Sequence, residues 1–169
     1  MTNRALGLII AAGVFIADRL SKYWIIEIFD LPSRGTYEIL PFFNFTMVWN
    51  RGISFGLFPA DGDTGRYLLA ALTMAIAIGL IVWLFKGTNR LVAIALGFII
   101  AGAFGNLWDR FEYQAVADFL HFYAFGYSFY VFNVADMGIS VGVALLILDA
   151  FLDWRRERKV KAGEAAADH

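Results

Sequence analysis

Two aspartates in this chain invite a chemical reading. Asp118 lies in Val116-Ala117-Asp118-Phe119 and Asp136 in Phe132-Asn133-Val134-Ala135-Asp136, each among apolar or aromatic neighbours and with no Lys or Arg within several positions. An ionisable side chain near membrane depth is paired, at a wet edge, or functional. Two carboxylates sharing one site cannot both ionise easily, so one keeps a proton near neutral pH and the other serves as a base. That arrangement activates water for amide hydrolysis. A spacing of 18 residues also admits plainer explanations, such as a carboxylate held by the dipole at a helix N-terminus. Asn133 sits one turn before Asp136 and on the same face.

Other chemistries find less support. There is no cysteine for a thiolate nucleophile or ligand, and the two histidines, His121 and His169, lie outside any HExxH pattern. Asp118 and His121, three apart, are too little for a metal site, so neither metal nor cofactor is expected. No GxSxG elbow supports a serine triad, and Ser21 and Lys22, being adjacent on a helix, point in different directions. A net charge of −1 leaves no basic surface for nucleic acid. Asp18 and Lys22, four apart with the acid first, read as a structural ion pair. Asn106, Asp109 and Arg110 read as a polar helix terminus in which Arg110 neutralises a carboxylate.

The elements that must position these groups are membrane helices. Hydrophobic residues make up 60% of the 169, against roughly 45–50% in ordinary soluble domains, and the mean hydropathy is +0.63. Residues 67–85 carry no charge and suffice to cross a bilayer, and residues 91–108 and 132–151 form two further apolar runs. The N-terminal stretch has no cleavage site and reads as a retained first span. The expectation is one α-helical membrane domain over 1–169 with spans at about 5–29, 67–86, 90–108 and 132–152. Arg4, the 86–90 loop and the basic tail, eight Lys and Arg in all, fall on one side of such a four-span frame. Positive charges collect in the cytoplasm, so both termini are expected there. The tail, 154–169, ends in a stretch expected to fray.

Two segments then face outward. Residues 30–65 hold all three prolines, Pro32, Pro41 and Pro59, and Phe43, Phe45, Met47 and Trp49 alternate there with polar or smaller residues, predicting a small outer β-element. Residues 111–131 are rich in aromatics and predict an interfacial helix and loop along the membrane surface. Gly97, Ala101 and Gly105, with Gly138 and Gly142, predict close helix contacts.

Five blocks in order carry a family resemblance: Asp18-Arg19-Leu20-Ser21-Lys22, Asn50-Arg51-Gly52-Ile53-Ser54-Phe55-Gly56, Gly105-Asn106-Leu107-Trp108-Asp109-Arg110, and the two stretches around Asp118 and Asp136. Over nearly its whole length the chain resembles bacterial lipoprotein signal peptidase, or signal peptidase II. The resemblance implies an aspartic endopeptidase of the inner membrane, cleaving diacylglyceryl-modified prolipoproteins before the lipidated cysteine, with its site near the periplasmic face. It implies Asp118 and Asp136 as the catalytic dyad. Asn50, Arg51, Gly52, Gly105, Asn106, Asp109, Arg110 and Asn133 fall in blocks that bind substrate or support the site, although Arg51, Ile53 and Ser54 occupy variable positions. Asp18 matches a structural position and pairs with Lys22. The outer β-element would be a periplasmic β-cradle, and the aromatic run a surface helix and loop. Membrane lipid and cyclic peptide inhibitors of the globomycin type are the further partners implied.

Two rival readings come from other classes. Intramembrane Asp and Asn also mark ion pathways, so a proton- or ion-coupled small transporter is one alternative. It predicts inverted repeats or broken helices, which the sequence lacks. A non-enzymatic assembly factor using the glycine-lined faces is another, and it leaves Asp118 and Asp136 without a purpose.

Overall fold

The computed structural model describes residues 1–52 and 63–167. Ile53, Ser54, Phe55 and Gly56 of the second block, Pro59, and His169 lie outside them. Helix α1, Asn3–Tyr23, starts on Thr2, whose hydroxyl accepts from Ala5 N at 3.2 Å, and runs into a π-helical turn, Trp24–Ile28. A short turn of helix, α2 (Leu31–Arg34), leads into strands β1 (Thr36–Leu40) and β2 (Phe43–Asn50). Helices α3 (Asp63–Phe85) and α4 (Arg90–Glu112) follow, then β3 (Val116–Ala124), β4 (Tyr127–Ser128) and α5 (Val134–Ala167).

Among the described residues, three helices are long and apolar enough to cross a membrane, Thr64–Phe85, Arg90–Glu112 and Val134–Val160, which corrects the expectation of four. The first helix fails through its charges. Every 18-residue stretch of α1 includes three of Arg4, Asp18, Arg19 and Lys22. With three such helices the parity argument for two cytoplasmic termini falls as well.

Helix α4 is the hub. It packs against α1, α3 and α5 and is buried along most of its length, whereas α3 and α5 present broad apolar faces outward. Glycines allow the close approach that the sequence predicts: a Cβ on Gly142 would lie 2.6 Å from Ala95 O, and one on Gly97 2.5 Å from Gly7 O. Leu84, Val92, Ala93, Leu96 and Ile100 form the buried seam between α3 and α4.

The outer part is a four-stranded antiparallel sheet in the order β1-β2-β3-β4. The predicted strand forms as β2, but its burial does not alternate: Asn44 is buried and Trp49 exposed, because the pairing with β3 shifts between Phe45 and Val48. The interfacial helix expected within 111–131 is replaced by β3 and β4, because the backbone of this stretch finds its partners on β2 and the aromatic rings pair across strands. Phe122 packs against Phe43 at 4.6 Å between centroids, the rings tilted by 36°. Phe125 and Gly126, both at positive φ, close the β3-β4 hairpin in two residues. At the other end α5 continues as helix to Ala167 where fraying was expected.

Candidate active site

Three local devices bring Asp118 and Asp136 into one network. Residue Gln114, at φ 61, turns the chain out of α4 and into β3. There the β2-β3 register sets Val48 opposite Asp118 and Asn50 opposite Val116, so that the Asn50 side chain reaches the aspartate. The chain then returns from the hairpin, and Phe132 forms a bridge with Leu120, Phe132 N donating to Leu120 O at 3.0 Å. That bridge delivers Asn133 beside Asp118. Asn133 also begins α5: its Oδ1 accepts from Asp136 N at 3.0 Å, and Asp136 Oδ2 accepts from Asn133 N at 3.3 Å. This is a reciprocal capping box, which fixes the Asp136 carboxylate at the first turn of the helix.

The carboxylates are joined through amides. Asn133 Nδ2 donates to Asp118 Oδ1 at 2.6 Å and to Asn106 Oδ1 at 3.2 Å, and Asn106 Nδ2 donates to Asp136 Oδ1 at 2.8 Å. Asn50 Nδ2 donates to Asp118 Oδ2 at 3.1 Å, while Asn50 Oδ1 accepts from Gly52 N. Arg110 donates to Asn106 O and to Gly52 O, both at 3.1 Å, tying α4 to the chain beyond β2. Asp118, Asn106 and Asn133 are buried and Asp136 is half-buried. Burial, and then the Asp136 charge, push the Asp118 carboxyl up to about 7, against the opposing hydrogen bonds from Asn50 and Asn133. A carboxyl titrating there exchanges its proton at neutral pH.

Two open cavities meet at these residues. One of about 410 Å³ runs along α5 and is lined by Phe132, Asp136, Met137, Ile139 and Ser140. The other, about 550 Å³, lies over the sheet and is lined by Trp49, Asn50, Arg51, Gly52, Asp118 and His121. Phe129, Tyr130 and Val131 line both. Among the described residues no cluster of His, Cys, Asp and Glu could hold a metal.

The other singled-out polar residues form a second, buried ionic cluster between α1 and α4. Lys22 Nζ lies 3.0 Å from Asp18 Oδ2 and 2.6 Å from Asp109 Oδ2. Arg19 also pairs with Asp18, Asp109 and Glu112. Asp109 is thus neutralised from α1, while its sequence neighbour Arg110, expected to do so, turns toward the site. The cluster reaches the site through the backbone: Asp18 Oδ1 accepts from Ala135 N at 3.0 Å, and Asp109 Oδ2 from Ala117 N at 3.1 Å. Gly105 makes room for the first of these, since a Cβ there would lie 2.6 Å from Asp18 Oδ2. Sequence reasoning missed Arg19 and these two backbone contacts. The i,i+4 spacing of Asp18 and Lys22 was visible, but nothing local signals a partner 90 residues away.

Known proteins resemble this chain over most of its length. The family model described as signal peptidase (SPase) II matches residues 10–152. A lipoprotein signal peptidase of Beijerinckia indica subsp. indica is 48% identical over 151 residues, covering 89% of this chain and 90% of the relative. One from Methylorubrum extorquens is 47% identical, covering 89% and 88%. Two structures of a bacterial membrane enzyme solved by the in meso method superpose with TM-scores of 0.75 and 0.73. Their identities are 29% and 31%, and they cover 88% and 86% of this chain and 89% and 92% of theirs.

Proposed function

The chain belongs to the signal peptidase II family of membrane aspartic endopeptidases acting on lipoproteins, and from that premise we propose that Asp118 and Asp136 are its catalytic dyad. It is a multi-pass protein of the bacterial inner membrane. The substrate is a prolipoprotein carrying diacylglyceryl on its lipobox cysteine, cut on the N-terminal side of that cysteine near the periplasmic surface. The observation that carries the reading is Asn133, whose single side chain touches Asp118 and caps the turn bearing Asp136.

In this mechanism the pair holds one proton between its carboxyls. The ionised carboxylate takes a proton from water as its oxygen attacks the scissile carbonyl carbon. The protonated carboxyl gives its proton to the carbonyl oxygen, and a tetrahedral diol forms. Collapse of the diol breaks the C–N bond: the carboxyl that took the water proton gives it to the leaving amine, the other carboxylate takes a proton from a diol hydroxyl, and the dyad is left with its one shared proton as at the start. Asn50, Asn106 and Asn133 hold the carboxyl oxygens in place through both steps. The apolar signal segment fits the cavity along α5, while the chain beyond the cleavage site fits the cavity over the sheet, where Asn50, Arg51 and His121 supply polar partners. Cyclic peptides of the globomycin type would compete for the same space.

The test is cleavage of a lipidated prolipoprotein by the purified protein in detergent. Asp118→Asn and Asp136→Asn are each expected to fold and to lose activity by at least about 10²-fold, the low end of acid–base catalysis. Cleavage at the wild-type rate by either variant sinks the dyad assignment.

A further inference from the structure

The dyad's two members ride on different elements, Asp118 on β3 and Asp136 on α5, so something must set their separation. The residue ahead of each is held by a buried carboxylate: Ala117 N by Asp109 of α4, and Ala135 N by Asp18 of α1. Between these carboxylates sits the Lys22 ammonium, 3.0 Å from Asp18 and 2.6 Å from Asp109. Lys22 is 1% exposed and both partners are fully buried, so water can neither replace the ammonium nor screen it.

We propose that Lys22 is a positioning residue for the reaction, its ammonium clamping Asp18 and Asp109 together and so fixing the backbone immediately ahead of each dyad member. This rests on the dyad reading. The geometry is a tether with two arms, each running from Lys22 through one carboxylate to one peptide N–H. Reacting groups lose rate steeply when displaced by about 1 Å, so a change in either arm reaches the chemistry without touching the substrate. Arg19 spans the same two carboxylates from the wetter side, at 19% exposure, and extends outward to Glu112. The lysine is the buried member of the two, and its charge acts on Asp118.

The charged and titratable groups around Asp118 include Asp136 from α5, Lys22 from α1, Arg110 and Asp109 from α4, Arg51 at the mouth of the shared cavity, and His121 from its own strand. Burial and Asp136 hold its carboxyl up, and Lys22 counteracts them. Removing the ammonium therefore moves the alkaline limb of the pH–rate profile upward, which a purely structural role would not do.

Lys22→Gln, Lys22→Arg, Arg19→Gln and the double variant Lys22→Gln/Asp18→Asn would be assayed in detergent on the lipidated prolipoprotein. The double variant keeps an oxygen for Ala135 N while removing the orphaned charge. Both glutamine variants at Lys22 are expected to lower kcat by about 10-fold or more with KM within about 2-fold, and Lys22→Gln alone, which removes a cation without an anion, to shift the alkaline limb up by about 0.5 pH or more. Lys22→Arg is expected to keep the wild-type limb, and Arg19→Gln to lower the melting temperature without moving it. Folded Lys22→Gln or double variants with wild-type kcat and an unmoved profile would overturn the proposal. Failure of both to fold would also overturn it, by assigning Lys22 to stability alone. Asp118→Asn and Asp136→Asn run in parallel: if they are inactive while the Lys22 variants behave as wild type, the clamp fails and the dyad stands.

Discussion

At the scale of single residues, surroundings divide chemically identical side chains into different tasks. Asp18 and Asp109 face two cations and a peptide N–H each, whereas Asp118 accepts from two neutral amides and lies within the field of a second carboxylate. Asn133 is the residue on which that difference turns, because one of its nitrogens serves both Asp118 and Asn106 and its oxygen caps Asp136 N. Replacing it with alanine removes a charge-assisted hydrogen bond of roughly 1.5–3 kcal/mol at Asp118 and loosens Asp136 at once. Asn133→Ala is therefore expected to reduce kcat by about 10²-fold, and Asn106→Ala, which removes a donor to Asp136 and an acceptor of Asn133 but no bond to Asp118, by about 10-fold. Single-turnover cleavage rates check the order; equal losses would mean that Asn133 has no bridging role.

At the scale of elements, the site depends on how closely three helices approach. Asp18 reaches across α4 to the first turn of α5 only because position 105 lacks a side chain, with the Ala135 methyl 3.1 Å from where a Cβ would be. Gly105→Ala pushes the Asp18 carboxylate, which is already held by Lys22 and Ala135 N, away from one of its partners. The expected cost is about 1–3 kcal/mol of stability, as for other overpacked interiors. Activity is expected to fall further than the melting temperature implies, since the strained contact adjoins Asp136. Thermal melts and cleavage rates on the same preparation measure both, and an alanine variant with wild-type values in each would show the contact to be slack.

At the scale of the whole molecule, the fold keeps a carboxyl that is costly to ionise. Asp118 titrates near 7 in the folded protein against an ordinary value of 3.8, so between those pH values the folded state binds a proton that the unfolded chain has released. The stability this adds is complete below about pH 4 and is lost as pH rises through 7, up to about 4 kcal/mol in all. Asp118→Asn cannot titrate at this position. The stability of wild type relative to this variant is thus expected to fall steadily from pH 4 to 8 in denaturation experiments in detergent. A flat difference would show that Asp118 ionises normally.

The sequence by itself determined much of the frame. Apolar runs, the last of them interrupted by Asp136 and Asp149, mark three helices able to cross a bilayer, while the fourth expected span is not among them; alternation marks β2 as a strand, and glycine spacing marks the close faces of α4 and α5, because these are properties of neighbouring residues. It also singled out Asp118 and Asp136 by the absence of nearby cations. What it could not decide depends on residues far apart in the chain. The stretch after α4 becomes strand because β2 offers a partner edge, and the first helix keeps its charges because Asp109, 90 residues from Arg19, lies against it. Only the tertiary fold, through the Leu120–Phe132 bridge and the tether from Lys22, brings the two aspartates of β3 and α5 into one hydrogen-bonded network. Local patterning is written in each helix and strand; the separation of two carboxyls is set by the packing between them.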